Sequence, residues 1–266
     1  MDMICTMASR LKDKWVLITG ASAGFGASAA RAFAREGTSL LLGARRVERI
    51  EAVAEECRKL GSPAAFAHEL DVSKTASVDE FARWAQVKAQ RVDVLINNAG
   101  GAHGVDPVAT AKDEDWEAMF EINVLGVLRM TRAILPLMKD TQGSIINIGS
   151  IAGRTAYEGG AAYCGAKAAE LQITRALRLE LCGTGLRVST VDPGMAETEF
   201  SMVRFKGDEA KAKKVYEGVE ALTAEDIAET LVWVASRPHH VCIDEMIIKC
   251  TDQAAIHKVN RKISGR

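Results

Sequence analysis

Short, almost wholly apolar runs alternate along the chain with longer stretches in which apolar positions return every three or four residues. Residues 15–19, 39–44, 64–69, 92–96, 144–148, 187–191 and 245–249 read as seven strands. Runs this short are too brief for buried helices, and several are bounded by Gly or Asn. The 3.6-residue pattern predicts helices over 27–36, 47–60, 78–88, 113–138 and 161–182, with a bend at Pro136 in the long one. A further helix, capped by Thr223 and with Glu225 and Asp226 in its first turn, is predicted to end near Ala235. Strands that are apolar on both faces and joined by helices call for right-handed crossovers. The expected architecture is therefore a doubly wound, parallel seven-stranded α/β sheet with helices on both faces.

No repeat, low-complexity tract or linker interrupts this rhythm, so residues 1–266 are expected to form a single dinucleotide-binding and catalytic domain. Residues 1–10 read as a short N-terminal extension and 251–266 as a tail. The least regular stretch, 193–219, follows the carboxyl end of a strand and is a candidate substrate lid.

Composition narrows the function classes. With 26% charged residues, 48% hydrophobic residues and a formal net charge of −1, the chain offers no reason to expect nucleic acid or an anionic membrane as partner. It has no apolar run of about 18 residues, and its start lacks a secretory core. Cysteines at 5, 57, 164, 182, 242 and 250 include no Cys-x-x-Cys pair. Free thiols in a reducing cytoplasm, without a metal site, are the expectation.

The first candidate chemistry is the turn Thr19-Gly20-Ala21-Ser22-Ala23-Gly24-Phe25-Gly26, between the first strand and first helix. Gly20 permits a tight turn, Gly24 close backbone approach to a pyrophosphate, and Gly26 close packing of helix on strand. The helix amino terminus then presents free N–H groups and a positive dipole end to phosphates. After the second strand the chain reads Leu42-Gly43-Ala44-Arg45-Arg46, with no acid before Glu48. An acid there would bind ribose hydroxyls and repel a 2′-phosphate, whereas a guanidinium welcomes one, so Arg45, and Arg46 beside it, argue for NADP(H).

Tyr163 and Lys167 stand four apart on a predicted helix and so share a face. Ser150 directly follows the carboxyl end of a predicted central strand, the edge at which open α/β sheets bind ligands. Together they suit carbonyl–alcohol interconversion. A Tyr hydroxyl exchanges a proton with the substrate oxygen while Ser150 bonds that oxygen. A phenol titrates near 10, and the Lys167 ammonium is expected to lower that value; three pH units would be about 4 kcal/mol.

Thr-Gly-x3-Gly-x-Gly, followed in order by Asn97-Asn98-Ala99-Gly100, Ser150, Tyr163-Cys-Gly-Ala-Lys167 and Pro193-Gly194, resembles the short-chain dehydrogenase/reductase family from about Leu11 to Cys250. The resemblance implies a Rossmann fold and an oxidoreductase acting on CH–OH groups. It makes Tyr163 the general acid/base and Ser150 the substrate orienter. Lys167 also holds the nicotinamide ribose, and Asn123 supports a proton relay. It counts Ser22, Phe25, Asp71, Val72, Asn98, Ala99, Gly100, Pro193 and Gly194 among the cofactor contacts, Asp71 at the adenine. It further implies a homotetramer or homodimer formed through the two long helices.

The stretch from Glu199 to Asp208 resembles one subgroup of that family, the NADP-dependent dehydrogenases of 3-hydroxy acids such as serine and allo-threonine. Arg154 or Arg204 would then pair with the substrate carboxylate. Reduction of aldehydes, ketones or 3-oxoacyl thioesters is the alternative activity, and a non-catalytic nucleotide sensor the alternative of another class.

Overall fold

The computed structural model describes residues 10–262; the expected N-terminal extension apart from Arg10, Cys5 with it, and the last four residues of the tail lie outside the described residues. Seven strands form one parallel sheet: β1 (Trp15–Thr19), β2 (Ser39–Ala44), β3 (Ala65–Glu69), β4 (Val94–Asn97), β5 (Ser144–Ile148), β6 (Arg187–Pro193) and β7 (Glu245–Ile248). They lie in the order β3-β2-β1-β4-β5-β6-β7, every pairing parallel. Helices are α1 (Gly24–Arg35), α2 (Val47–Lys59), α3 (Thr75–Ala89), α4 (Asp113–Phe120), α5 (Gly126–Met138), α6 (Ala161–Glu180), α7 (Phe200–Arg204), α8 (Glu209–Lys214) and α9 (Ala224–Ala235).

Alternation within the apolar strands explains the two covered faces. Val16, Ile18, Leu40, Leu42 and Ile146 point into one core with Phe33 of α1, Ile50 of α2 and Leu231 of α9. Leu17, Leu41, Leu95 and Ile145 point into the other, with Phe81 of α3, Met130 and Ile134 of α5 and Leu177 of α6. Each fully buried Leu contributes roughly 1.5–3 kcal/mol, so neither face of β2 tolerates a polar replacement. The chain crosses from one side of β1 to the other between β3 and β4, which opens a crevice at the carboxyl ends of β1 and β4.

Three expectations change. The long helix is divided: a π-helical turn, Glu121–Leu125, separates α4 from α5, while Pro136 lies in the last turn of α5. At that π turn the buried Asn123 donates from Nδ2 to the carbonyls of Met119 and Gly101, each at 2.8 Å. The segment 193–219 is more regular than its composition suggests, since it carries α7 and α8. The tail forms a small antiparallel hairpin, β8 (Gln253–Ala255) with β9 (Lys258–Val259), and then returns to the segment 193–219: Lys262 N donates to Gly218 O at 2.7 Å.

Candidate active site

The glycine turn lies at the crevice. Gly20 adopts φ +67°, and a Cβ there would stand 2.9 Å from Ala99 Cα. A Cβ on Gly26 would collide with the carbonyl oxygen of Gly20. Thr19 and Asn98 join the two strand ends: Thr19 Oγ1 accepts from the backbone N–H groups of Asn98 and Ala99, and Asn98 Nδ2 donates to Thr19 O at 2.8 Å. The Asn98 amide is therefore spent on holding the turn. At the start of α1 the N-cap, Ala23, offers no side-chain acceptor, which leaves the first N–H groups facing the crevice.

A cleft of about 740 Å3 runs from this turn across the sheet edge. Its lining includes Gly20, Ser22, Gly24, Phe25, Arg45, Arg46, Asp71, Val72, Asn98, Ala99 and Gly100 at one end, and Asn123, Ser150, Tyr163, Lys167, Pro193, Gly194 and Arg204 further along. Arg46 donates from Nε and Nη2 to Ser22 Oγ at 3.1 and 2.9 Å, and from Nη1 to Glu199 at 2.9 Å. Asp71 is held as a carboxylate: burial works against its charge, but hydrogen bonds from Ser73 and the nearby Arg45 lower its pKa. A backbone donor cradle followed by two guanidinium groups suits a ligand carrying several phosphates.

Ser150 follows β5 and caps a short 3-10 turn, its Oγ accepting from Ala152 N at 3.1 Å. Tyr163 and Lys167 project from α6 into the same space, Tyr163 packed against Phe200 with ring centroids 5.5 Å apart. Lys167 is buried and donates from Nζ to Ile148 O at 2.6 Å. Tyr163 differs from expectation. Burial pushes its phenol up to about 12, and the opposing influences are a hydrogen bond with Ser150 and the Arg204 charge. Lys167, whose own pKa burial lowers, does not pull the phenol below its ordinary value here. Asn123 fixes the neighbouring loop, since Gly101 N donates to its Oδ1 at 3.2 Å.

The two substrate candidates separate. Arg154 does not line the cleft. Its guanidinium is taken by Asp192 at 2.5 Å and Glu245 at 2.7 Å beneath the β6–β7 edge, which corrects its expected place opposite a substrate carboxylate. Arg204 does line it, donating to the Tyr157 hydroxyl at 2.7 Å, with its guanidinium carbon 5.9 Å from the Tyr163 ring centre. Tyr157, Tyr216 and His257 also line the cleft with no sequence motif pointing to them, beside Glu199 and Phe200 of the stretch from Glu199 to Asp208 and Gln253 of the tail. Gln253 is buried, and its Oε1 accepts from Met195 N at 2.7 Å, which ties the tail to the segment after β6.

A family model described as short chain dehydrogenase matches residues 14–209. The chain belongs to the short-chain dehydrogenase family. Within it, the chain is 43% identical over 256 residues to an NADP-dependent 3-hydroxy acid dehydrogenase of Schizosaccharomyces pombe, covering 96% of this chain and 99% of that one. It is 37% identical over 239 residues to a serine 3-dehydrogenase of Agrobacterium fabrum, covering 90% and 94%. The closed form of a serine dehydrogenase complexed with NADP+ superposes with a TM-score of 0.85 at 41% identity, over 93% of this chain and 100% of that one. Among the described residues no group of three or more His, Cys, Asp or Glu is arranged to hold a metal ion, and no helix is long and apolar enough to cross a membrane.

Proposed function

We propose that this family member is an NADP(H)-dependent oxidoreductase that interconverts a small 3-hydroxy acid, such as serine or allo-threonine, and its carbonyl product. The observation that carries the reading is the meeting of Ser150, Tyr163, Lys167 and Arg204 in the same cleft as the α1 amino terminus and Arg45. The named activities of the relatives support the substrate class. The donor cradle fits NADP(H): the glycine turn would hold the pyrophosphate and Ser22, Arg45 and Arg46 the 2′-phosphate, and the bound cofactor would supply or accept the hydride.

The protein's own groups then handle the proton and the substrate. In reduction Tyr163 donates its phenolic proton to the oxygen that gains charge, and in oxidation it takes that proton back. Ser150 bonds the same oxygen and steadies its charge. Lys167 would hold the nicotinamide ribose and lends positive charge beside Tyr163, and Asn123 keeps the adjoining loop in place and would support a proton relay. Arg204 offers its remaining guanidinium face to the substrate carboxylate, which sets hydroxy acids apart from simple alcohols.

The same reading includes one catalytic domain acting in the cytoplasm, with 193–219 as its substrate lid. It also includes a homotetramer or homodimer formed through α4, α5 and α6, supported by the exposed Leu125 and Leu128 on that helical stretch. Light scattering after size exclusion reads the assembly directly. The activity is tested by following NADP(H) absorbance with serine, allo-threonine, 3-hydroxypropionate, ketones, aldehydes and a 3-oxoacyl thioester, with NAD as control. Turnover of the hydroxy acids with NADP supports the reading. Turnover confined to carbonyls lacking a carboxylate removes the substrate class.

A further inference from the structure

One turn beyond Lys167 on α6 lies a carboxylate in an unusual place. Glu170 is fully buried, its Oε1 accepting from Thr174 Oγ1 at 3.1 Å. Thr174 in turn accepts from Asn147 Nδ2 of β5 at 2.8 Å, so this face of α6 lies against the sheet. Glu170 Oε2 has no hydrogen-bond partner among the described residues and stands 3.9 Å from Lys167 Nζ. A buried acid with an unsatisfied oxygen is costly unless a charge answers it.

The other charged groups nearby are largely committed to one another. Asp192 of β6 is held by Thr190 Oγ1 at 2.6 Å and by Arg154, which follows β5. Arg154 also meets Glu245 of β7, and Glu245 meets Arg175 on α6. Lys167 Nζ has the neutral carbonyl of Ile148 as its hydrogen-bond acceptor, so the nearest carboxylate answering its charge is Glu170. We propose that Glu170 is a positioning residue that keeps Lys167 protonated and directed at the cleft from within the fold. The inference rests on Lys167 working beside Tyr163 as proposed above.

Burial lowers the pKa of Lys167 and raises that of Glu170, and the attraction between them opposes both changes. Asp192 raises both groups. Glu170 also adds to the upward shift of Tyr163. Removing its negative charge therefore makes both Lys167 and Tyr163 easier to deprotonate. Carbonyl reduction needs both of them protonated, so its alkaline limb reports the first proton lost by the pair.

The test is the pH profile of kcat/KM for NADPH-dependent reduction of malonate semialdehyde, or of the best carbonyl the wild type accepts, in wild type, Glu170→Gln, Glu170→Asp and Tyr163→Phe. Glu170→Gln is expected to move the alkaline limb to lower pH by roughly one unit or more. Glu170→Asp, which keeps the charge but withdraws it by one methylene, is expected between the two. A lowered melting temperature with an unmoved limb would mean a packing role only and would overturn the inference. If Glu170→Gln does not melt cooperatively, Glu170→Asp decides alone, an unmoved limb again counting against it. Tyr163→Phe separates the two levels. If it stays active, the Tyr–Lys reading itself fails. If it is inactive while the Glu170 variants keep the wild-type limb, only the role of Glu170 is lost.

Discussion

Glu199, from the segment after β6, holds Arg46, from the end of β2, at 2.9 Å. Arg49 grips the same carboxylate at 2.8 Å, and the rest of the Arg46 fork is given to Ser22. A carboxylate thus occupies part of the guanidinium surface proposed for the 2′-phosphate, while Arg45 stays exposed. Arg45→Ala is expected to raise KM for NADP+ by roughly ten-fold and leave KM for NAD+ nearly unchanged. Glu199→Gln is expected to lower KM for NADP+ by about two- to five-fold, because it removes a competing charge beside the phosphate. Initial-rate kinetics with both coenzymes check this pair, and equal effects on NADP+ and NAD+ would count against the assignment.

Tyr163 is surrounded by Phe200, Ser150 and Arg204 and carries the proton in the proposed reaction. Tyr163→Phe keeps the ring and its packing and is expected to reduce kcat by about 100-fold or more in both directions. NADPH affinity, followed by fluorescence titration, is expected to stay within about two-fold of wild type. A variant that loses NADPH binding and turnover together would place Tyr163 in cofactor binding alone.

Arg204 bridges Tyr157 and the space above Tyr163. Arg204→Met keeps much of the apolar stem and removes the fork. KM for a hydroxy acid is expected to rise about ten-fold or more, with little change for an alcohol lacking a carboxylate. Arg154→Met, whose partners are internal, is expected to reduce stability instead of substrate affinity.

Glu245 provides a pH test of the β6–β7 edge. The Arg175 hydrogen bond, opposed by burial and reinforced by Arg154, lowers its carboxyl from 4.5 to about 2. A folded-state pKa below the unfolded one adds stability that is present above about 4.5 and lost as the pH falls through about 2. Because solvent screens the pair, Glu245→Gln is expected to cost only about 1 kcal/mol at pH 7, or about 2–4 °C in Tm. Melting curves across the acid range are expected to converge near pH 2. A difference that persists unchanged there would assign the loss to packing.

The amino end of α9 closes with a reciprocal cap: Thr223 N donates to Asp226 Oδ2 at 2.7 Å, and Asp226 N donates to Thr223 Oγ1 at 3.2 Å. Thr223→Ala is expected to destabilise by about 1 kcal/mol, measurable by urea denaturation, with catalysis unaffected.

Much of this molecule was legible residue by residue. The strand cores, the glycine turn, the α9 cap and the Tyr163–Lys167 spacing depend on neighbours a few positions apart, and side-chain period and backbone sterics act at that range. That is why seven parallel strands follow from apolar runs separated by helices, and why the position of Ser150 in the sequence already puts it at a strand end, while the order of the strands in the sheet comes from the fold.

Tertiary structure decided which charges meet. Arg154 and Arg204 are equivalent as sequence symbols, yet Asp192 and Glu245 claim the first from distant strands while the second faces the cleft. Burial, a property of the whole packed layer, turned the expected lowering of the Tyr163 pKa into a rise. The π turn at Asn123 and the Gln253 contact with Met195 likewise depend on backbone groups brought close only by folding. Local periodicity is written in short stretches of chain, but electrostatic environment is set by residues that are neighbours only in three dimensions.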